Sequence, residues 1–199
     1  MTRIKFLAFL ICSCLLFSLC GCKSGLPYEK DEKLYGTHTA VMTVKDFGEV
    51  KIELYGDIAP VTVANFVRLI KDGFYNGLTF HRAIDGYMIQ GGDPKGDGTG
   101  NSNPRIYGEF KSNRFENTLS HTRGVISMAR SRDYNSASCQ FFIMVGDETR
   151  LDGDYAAFGK VIEGMDVIDA ALASIKTVGS NGEVAPKDQP VIEKIEMSE

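Results

Sequence analysis

The chain has 199 residues, 43% hydrophobic and 24% charged, with 22 Lys and Arg against 26 Asp and Glu for a net charge of −4. That length suits one domain and that mixture suits a packed globule. The acidic balance excludes a broad nucleic-acid or anionic-membrane face, which would need clustered positive charge.

Arg3 and Lys5 precede an uncharged apolar run over residues 6–19, too short to span a bilayer and of the length of a signal-peptide core. The run ends in Leu19-Cys20-Gly21-Cys22-Lys23-Ser24. This resembles a bacterial lipoprotein box, and the resemblance implies that Cys22 is acylated through sulfur and becomes the new N-terminus. Each buried acyl CH₂ contributes about 0.8 kcal/mol, so two or three chains anchor stably where one does not. The plainer alternative is an ordinary signal peptide in which the cysteines are small apolar filler. Cleavage after residue 21 would remove two positive charges and deepen the net charge to −6. Cys22 and Cys139 would then be the only cysteines left, so no intrachain disulfide is expected once Cys22 carries lipid. Lys23 stands where an Asp would signal inner-membrane retention. The expected division is a signal peptide over residues 1–21, the lipidated cysteine and a flexible tether over 22–36, and one domain over 37–199. A tether of that length would hold the domain roughly 20 Å from the anchor. A helical first turn of the domain is the alternative for the same stretch.

From Thr39 the pattern becomes β. Ala40, Met42 and Val44 alternate with polar or outward positions, Asp46-Phe47-Gly48 turns the chain, and Val50, Ile52 and Leu54 repeat the alternation, which predicts a hairpin. Pro60 opens a helix where its missing N–H costs nothing. Val63, Phe66, Val67 and Ile70 give that helix one apolar face, and Gly73 suits its end. Further strand-like runs cover 78–83, 87–91, 125–128, 140–145, 157–161 and 191–195. A second helix is predicted over 165–173, with Met165, Ile168 and Leu172 on one face. Many short strands with one early and one late helix predict a mainly β domain, a closed antiparallel barrel capped by helices.

Several apparent motifs fail. The Gly-rich stretch 91–100 lacks the Gly-Lys-Ser/Thr ending of a phosphate loop, and as a calcium loop it has Lys95 and Pro104 where oxygen ligands belong. It reads as a flexible surface loop. His38, His81 and His121 are scattered without paired cysteines, which gives a metal-dependent hydrolase no ligand set. There is no Gly-x-Ser-x-Gly elbow, and nothing in the sequence supports a Ser-His-Asp site assembled from distant segments.

The informative segment is Phe80-His81-Arg82 through Gln90-Gly91-Gly92-Asp93. On a strand Met88 and Gln90 share one face, opposite Tyr87, Ile89 and Gly91, and Gln140 shares a face with Phe142 in a later strand. Amides beside apolar side chains suit a shallow pocket with a few fixed polar groups. Spacing alone favours a plainer reading, with Arg82 half of a surface ion pair and the aromatics in the core.

The segment resembles the signature of the cyclophilins, the peptidyl-prolyl cis-trans isomerases. Its companions follow in family order: Gly98-Thr99-Gly100, Ile106-Tyr107-Gly108-Glu109-Phe110, 124–129, Ser138-Cys139-Gln140-Phe141-Phe142-Ile143, Leu151-Asp152-Gly153 and Phe158-Gly159-Lys160-Val161. The resemblance runs from about Thr39 to Ile195. It implies an eight-stranded antiparallel barrel with two helices and an isomerase that needs no cofactor or metal. It implies Arg82 and Gln90 as catalytic residues. Tyr87, Met88, Phe142, Leu151 and Tyr155 would hold the proline, with Ala129, Arg130 and Gln140 along the peptide groove. Phe80 would be core, and His81, on the face away from Arg82, structural. Arg150 and Tyr155 stand where the best-known eukaryotic members have Trp and His, which implies weak cyclosporin binding. The implied partners are unfolded or flexible Pro-containing chains and a membrane reached through Cys22, with no nucleic acid, and the domain is expected to be a monomer in the bacterial cell envelope. A membrane-tethered module that holds proline peptides, with incidental catalysis, is the rival reading.

Overall fold

The computed structural model describes residues 32–198. The signal-like run, Cys22 and the tether as far as residue 31 lie outside the described residues. At the other end of that stretch, Leu34 N donates to Pro60 O (3.0 Å), Gly36 N donates to Asp57 Oδ1 (3.0 Å), and Leu34 packs against the core.

The β hairpin forms as its alternation requires. β1 (Thr37–Val44) and β2 (Gly48–Tyr55) pair antiparallel and bury Ala40, Met42, Val44, Val50, Ile52 and Leu54. α1 (Pro60–Lys71) begins at the proline, and Gly73 follows its end with φ +67°, a left-handed conformation that an L side chain rarely adopts. Its first turn has no capping side chain of its own. The buried carboxylate of Glu109 accepts from Val61 N (3.0 Å) and Thr62 N (2.8 Å) instead, satisfying donors that would otherwise be orphaned.

β3 (Thr79–Ile84), β4 (Met88–Asp93), β5 (Val125–Met128), β6 (Phe141–Met144), β7 (Ala157–Glu163) and, after α2 (Met165–Ser174), β10 (Ile192–Ser198) complete the eight main strands. Two strands of two residues, β8 (Thr177–Val178) and β9 (Glu183–Val184), add a small hairpin beside β3 that the sequence pattern does not reveal. The order is β10-β1-β2-β7-β5-β6-β4-β3-β9-β8, antiparallel throughout. The fold class is the expected one, mainly β with two helices, but closure differs in detail. No continuous ladder joins β3 to β10. Their ends meet at one bridge, Thr79 with Val191, with Phe80 N donating to Pro190 O (3.0 Å) and Ile192 N to Leu78 O (2.7 Å).

The two faces of the strands make two apolar clusters. Inside the sheet, Phe66 of α1 meets Tyr75, Phe141 and Phe158 at ring-centroid distances of 5.0, 5.5 and 5.0 Å, and buried Phe80 and Cys139 join the same core. Outside it, Met88, Val125, Phe142, Met144 and Ala157 form a smaller cluster. Strand alternation assigns these memberships: Phe141 and Ile143 go inward while Phe142 and Met144 go outward on β6.

Candidate active site

The outer cluster floors an open groove of about 650 Å³, lined by Arg82, Tyr87, Met88, Gln90, Ala129, Arg130, Phe142 and Tyr155. Gln140 and Leu151 do not line it. Gln140 lies in an adjoining cleft and holds Gln90, while Leu151, at the end of a 3-10 turn (Thr149–Leu151), packs against the floor cluster and lines a neighbouring depression with Tyr87 and Arg150.

Arg82 stands opposite Gln90 across the β3–β4 ladder. Its Nε donates to Asn181 O (2.8 Å) and its Nη1 to Gln90 Oε1 (3.2 Å), and no carboxylate among the described residues is within ion-pair range. The plainer sequence reading, a surface ion pair, therefore does not hold. A relay of amides fixes which end of Gln90 faces the arginine. The carbonyls of Gly98 and Gly100 accept from Gln140 Nε2 (3.1 and 2.8 Å), so the Gln140 oxygen faces Gln90. That oxygen accepts from Gln90 Nε2 (2.9 Å), which leaves the Gln90 oxygen for Arg82. Each link orients the next, and an inverted amide would set donor against donor.

The loop after β4 is pinned, contrary to the sequence reading. Asp93 is buried, and its two oxygens accept from Lys95 N (2.8 Å) and Gly98 N (2.6 Å), while Gln189 Nε2 donates to Gly96 O (2.8 Å). Gly92, at φ +81°, lies so close to β6 that a Cβ would stand 2.7 Å from Cys139 O. These contacts hold the Gly98 and Gly100 carbonyls that begin the relay.

His81 also differs from expectation. The β3–β4 register steps from Phe80 with Gly91 to Arg82 with Gln90, leaving His81 as the extra residue of a bulge. The bulge turns His81 to the groove side beside Arg82, with Nε2 at 3.5 Å from Gln90 Nε2 and Nδ1 buried without a partner. Burial lowers its pKa, against the pull of Asp93.

The opposite wall is built on Arg130. Its guanidinium carbon lies 4.8 Å from the ring centroid of Tyr155 and 5.1 Å from those of Phe110 and Tyr134, while Nε donates to Asp154 O (2.8 Å). Tyr155 in turn meets Phe142 edge-on, with centroids 5.7 Å apart. Ala129 N donates to Gln140 O (2.9 Å), so its carbonyl is the backbone group it can offer a peptide.

Beneath the floor lies an arrangement for which the sequence offers no support. Ser127 Oγ is 3.0 Å from His121 Nε2, and His121 Nδ1 is 2.8 Å from Asp152 Oδ1. With the carboxylate accepting, Nδ1 carries the proton and Nε2 accepts from the serine. Both His121 and Ser127 are fully buried, and the imidazole stacks on Phe142 at 6.0 Å and 17°. Phe142 seals this Ser-His-Asp chain from the groove, so it supports the floor and has no path to a substrate. His121 and Ser127 stand six residues apart and Asp152 stands 31 residues beyond His121, a spacing that matches none of the motifs weighed above.

Residues 39–197 match the family model described as cyclophilin type peptidyl-prolyl cis-trans isomerase/CLD. The chain belongs to the cyclophilin family. A probable peptidyl-prolyl cis-trans isomerase of Brucella suis is 40% identical over 171 residues, covering 80% of this chain and 83% of the relative. A peptidyl-prolyl cis-trans isomerase of Acinetobacter baylyi is 42% identical over 145 residues, covering 70% and 74%. Among solved structures, a cyclophilin-type isomerase of Cryptosporidium parvum, crystallised in the presence of the dipeptide Ala-Pro, superposes with a TM-score of 0.70 at 30% identity, over 81% of this chain and 99% of its own. This cyclophilin is a peptidyl-prolyl cis-trans isomerase.

Proposed function

We propose that this cyclophilin isomerises X–Pro bonds in unfolded or flexible chains outside the cytoplasm, from a lipid anchor at Cys22, with Arg82 as the catalytic cation. Amide resonance sets a barrier of about 18–20 kcal/mol to rotation. Rotation becomes easier when the nitrogen lone pair leaves conjugation, and a hydrogen-bond donor aimed at that nitrogen favours the twisted state. One observation carries this reading: the Arg82 guanidinium is held from two sides, by Asn181 O and Gln90 Oε1, at the edge of an apolar floor. Those bonds use Nε and Nη1 and leave Nη2 without a partner among the described residues. A guanidinium stays charged at every physiological pH and presents a rigid fork. A cation already fixed where the twisted nitrogen will sit lowers the barrier without reorganising during the reaction.

The apolar floor of Met88 and Phe142, with Tyr87 and Leu151 beside it and Tyr155 at the rim, would hold the proline ring while the preceding carbonyl swings. Beyond its bond to Gln140, Gln90 Nε2 has a second amide proton, which meets only the long contact with His81 Nε2 (3.5 Å) and would turn to a substrate carbonyl. Ala129 O and the Arg130 wall would align the peptide. No cofactor or metal enters the reaction.

NMR exchange on an Ala-Pro peptide tests the mechanism. Arg82→Ala is expected to lower the catalysed rate on the order of 10²–10³; an unchanged rate overturns the role of Arg82. The envelope location rests on Arg3, Lys5, the apolar run and Gly21-Cys22. Cys22→Ser is expected to release the protein from membranes in detergent-free fractionation, and continued membrane association would overturn the anchor.

A further inference from the structure

Beside the groove lies a second cleft of about 320 Å³. It shares Gln90, Gly98, Ala129 and Arg130 with the groove, so a peptide whose proline sits over Met88 and Phe142 passes its mouth. Arg105 and Arg130 both line the cleft, and the rest of its lining among the described residues is hydroxyl, amide, glycine and alanine, with no carboxylate.

The two arginines differ in what holds them. Arg130 is fixed among three rings, Asp154 O and Ser131 O. Arg105 is exposed and has no hydrogen bond or ion pair among the described residues. The nearby acids are turned to other work. Asp97 lines the main groove and accepts from Thr99 N (2.8 Å) and Thr99 Oγ1 (2.7 Å), and Asp133 accepts from Asn135 N (3.0 Å). On a chain with net charge −4, two guanidiniums in one cleft make a local positive field against the prevailing sign. Guanidinium groups only donate, and a carboxylate only accepts, with geometry that fits the fork.

We propose that Arg105, with Arg130 as the fixed half of the pair, makes this cleft select for an aspartate or glutamate side chain near the isomerised proline, so that Arg105 is a specificity-determining residue. The proposal rests on the isomerase reading of the adjoining groove. It names a substrate preference: acidic side chains at one position near the proline are favoured and basic ones disfavoured.

The test is a set of otherwise all-alanine peptides around one Ala-Pro bond, carrying Glu, Gln or Lys at each position from three before the proline to three after it. The purified protein's kcat/KM is measured on each by NMR exchange in low-salt buffer. At one position Glu is expected to exceed Lys roughly five-fold, the scale of one exposed ion pair, with Gln between them. High salt should shrink that ratio, and Arg105→Glu should invert it at the same position. Circular dichroism of the variant confirms that it is folded, and Arg105→Gln, which should bring the ratio near one, serves if it is not. Equal rates for Glu and Lys at every position, or a preference that Arg105→Glu leaves intact, overturns the subsite while the isomerase reading stands. Failure to catalyse any Ala-Pro peptide overturns the isomerase reading, and the subsite falls with it.

Discussion

Arg82 and Gln90 face each other across one rung of the sheet, and the 3.2 Å bond from Arg82 Nη1 to Gln90 Oε1 is the end of a relay that starts at two backbone carbonyls. The glutamine is thereby a polarised strut. Its orientation is set by Gln140, which does not itself line the groove.

Gln140→Leu should therefore slow isomerisation without touching the floor. Losing one oriented hydrogen bond of about 1 kcal/mol predicts roughly a five-fold fall in kcat/KM. The loss should fall mainly on kcat, because the apolar surface that holds the proline is unchanged. A change confined to KM would show that Gln140 acts on binding instead.

Arg150 should make the protein a poor cyclosporin target. Its side chain is 87% exposed and bound to Glu148 through Nε (2.7 Å) and Nη2 (2.5 Å), where a Trp would offer an indole donor and a flat face. Weak inhibition of the native protein and tighter inhibition of Arg150→Trp are expected in a competition assay. Nanomolar inhibition of the native protein would contradict this.

The Ser127–His121–Asp152 chain should be chemically silent. A fluorophosphonate probe is expected to leave Ser127 unlabelled in the native protein, as read by mass spectrometry, because Phe142 covers it. His121→Leu should destabilise the fold by about 1–3 kcal/mol in denaturant unfolding, since it strands the buried Ser127 hydroxyl and removes one of the two hydrogen bonds to Asp152 Oδ1.

Stability should fall with acidification below about pH 6.5, the ordinary histidine value. Burial lowers the pKa of both His81 and His121 in the folded protein, against Asp93 in one case and Asp152 in the other. As pH drops through the unfolded-state value, the unfolded chain takes up these protons first and stability is lost. Above that value both states hold neutral imidazoles and these two groups contribute no slope. Thermal melts across this window test the sign, and His81→Gln should flatten part of the slope. A Tm that rises on acidification would refute it.

Much of the fold and site was legible because burial writes a period into the sequence. Alternation placed Met88 and Gln90 on one face of β4 and Phe142 opposite Phe141 on β6, and a 3.6-residue repeat marked α1 from Pro60 to the Gly73 stop. The ordered motifs from Phe80 to Val161 carried the family. Two-residue strands such as β8 and β9 are too short to show any period, and they bring Asn181 to Arg82 across 99 residues.

The sequence alone determined which faces are apolar, which residue types gather near the groove, and the family to which they belong, since these depend on local spacing. Only the tertiary structure decided how the groups are aimed. The bulge that turns His81 beside Arg82, the carbonyls that orient Gln140 and Gln90, the three rings around Arg130 and the Phe142 lid over His121 all depend on register and sheet curvature. Those are set when distant strands pair, and a single-residue step in pairing reverses a side chain's face.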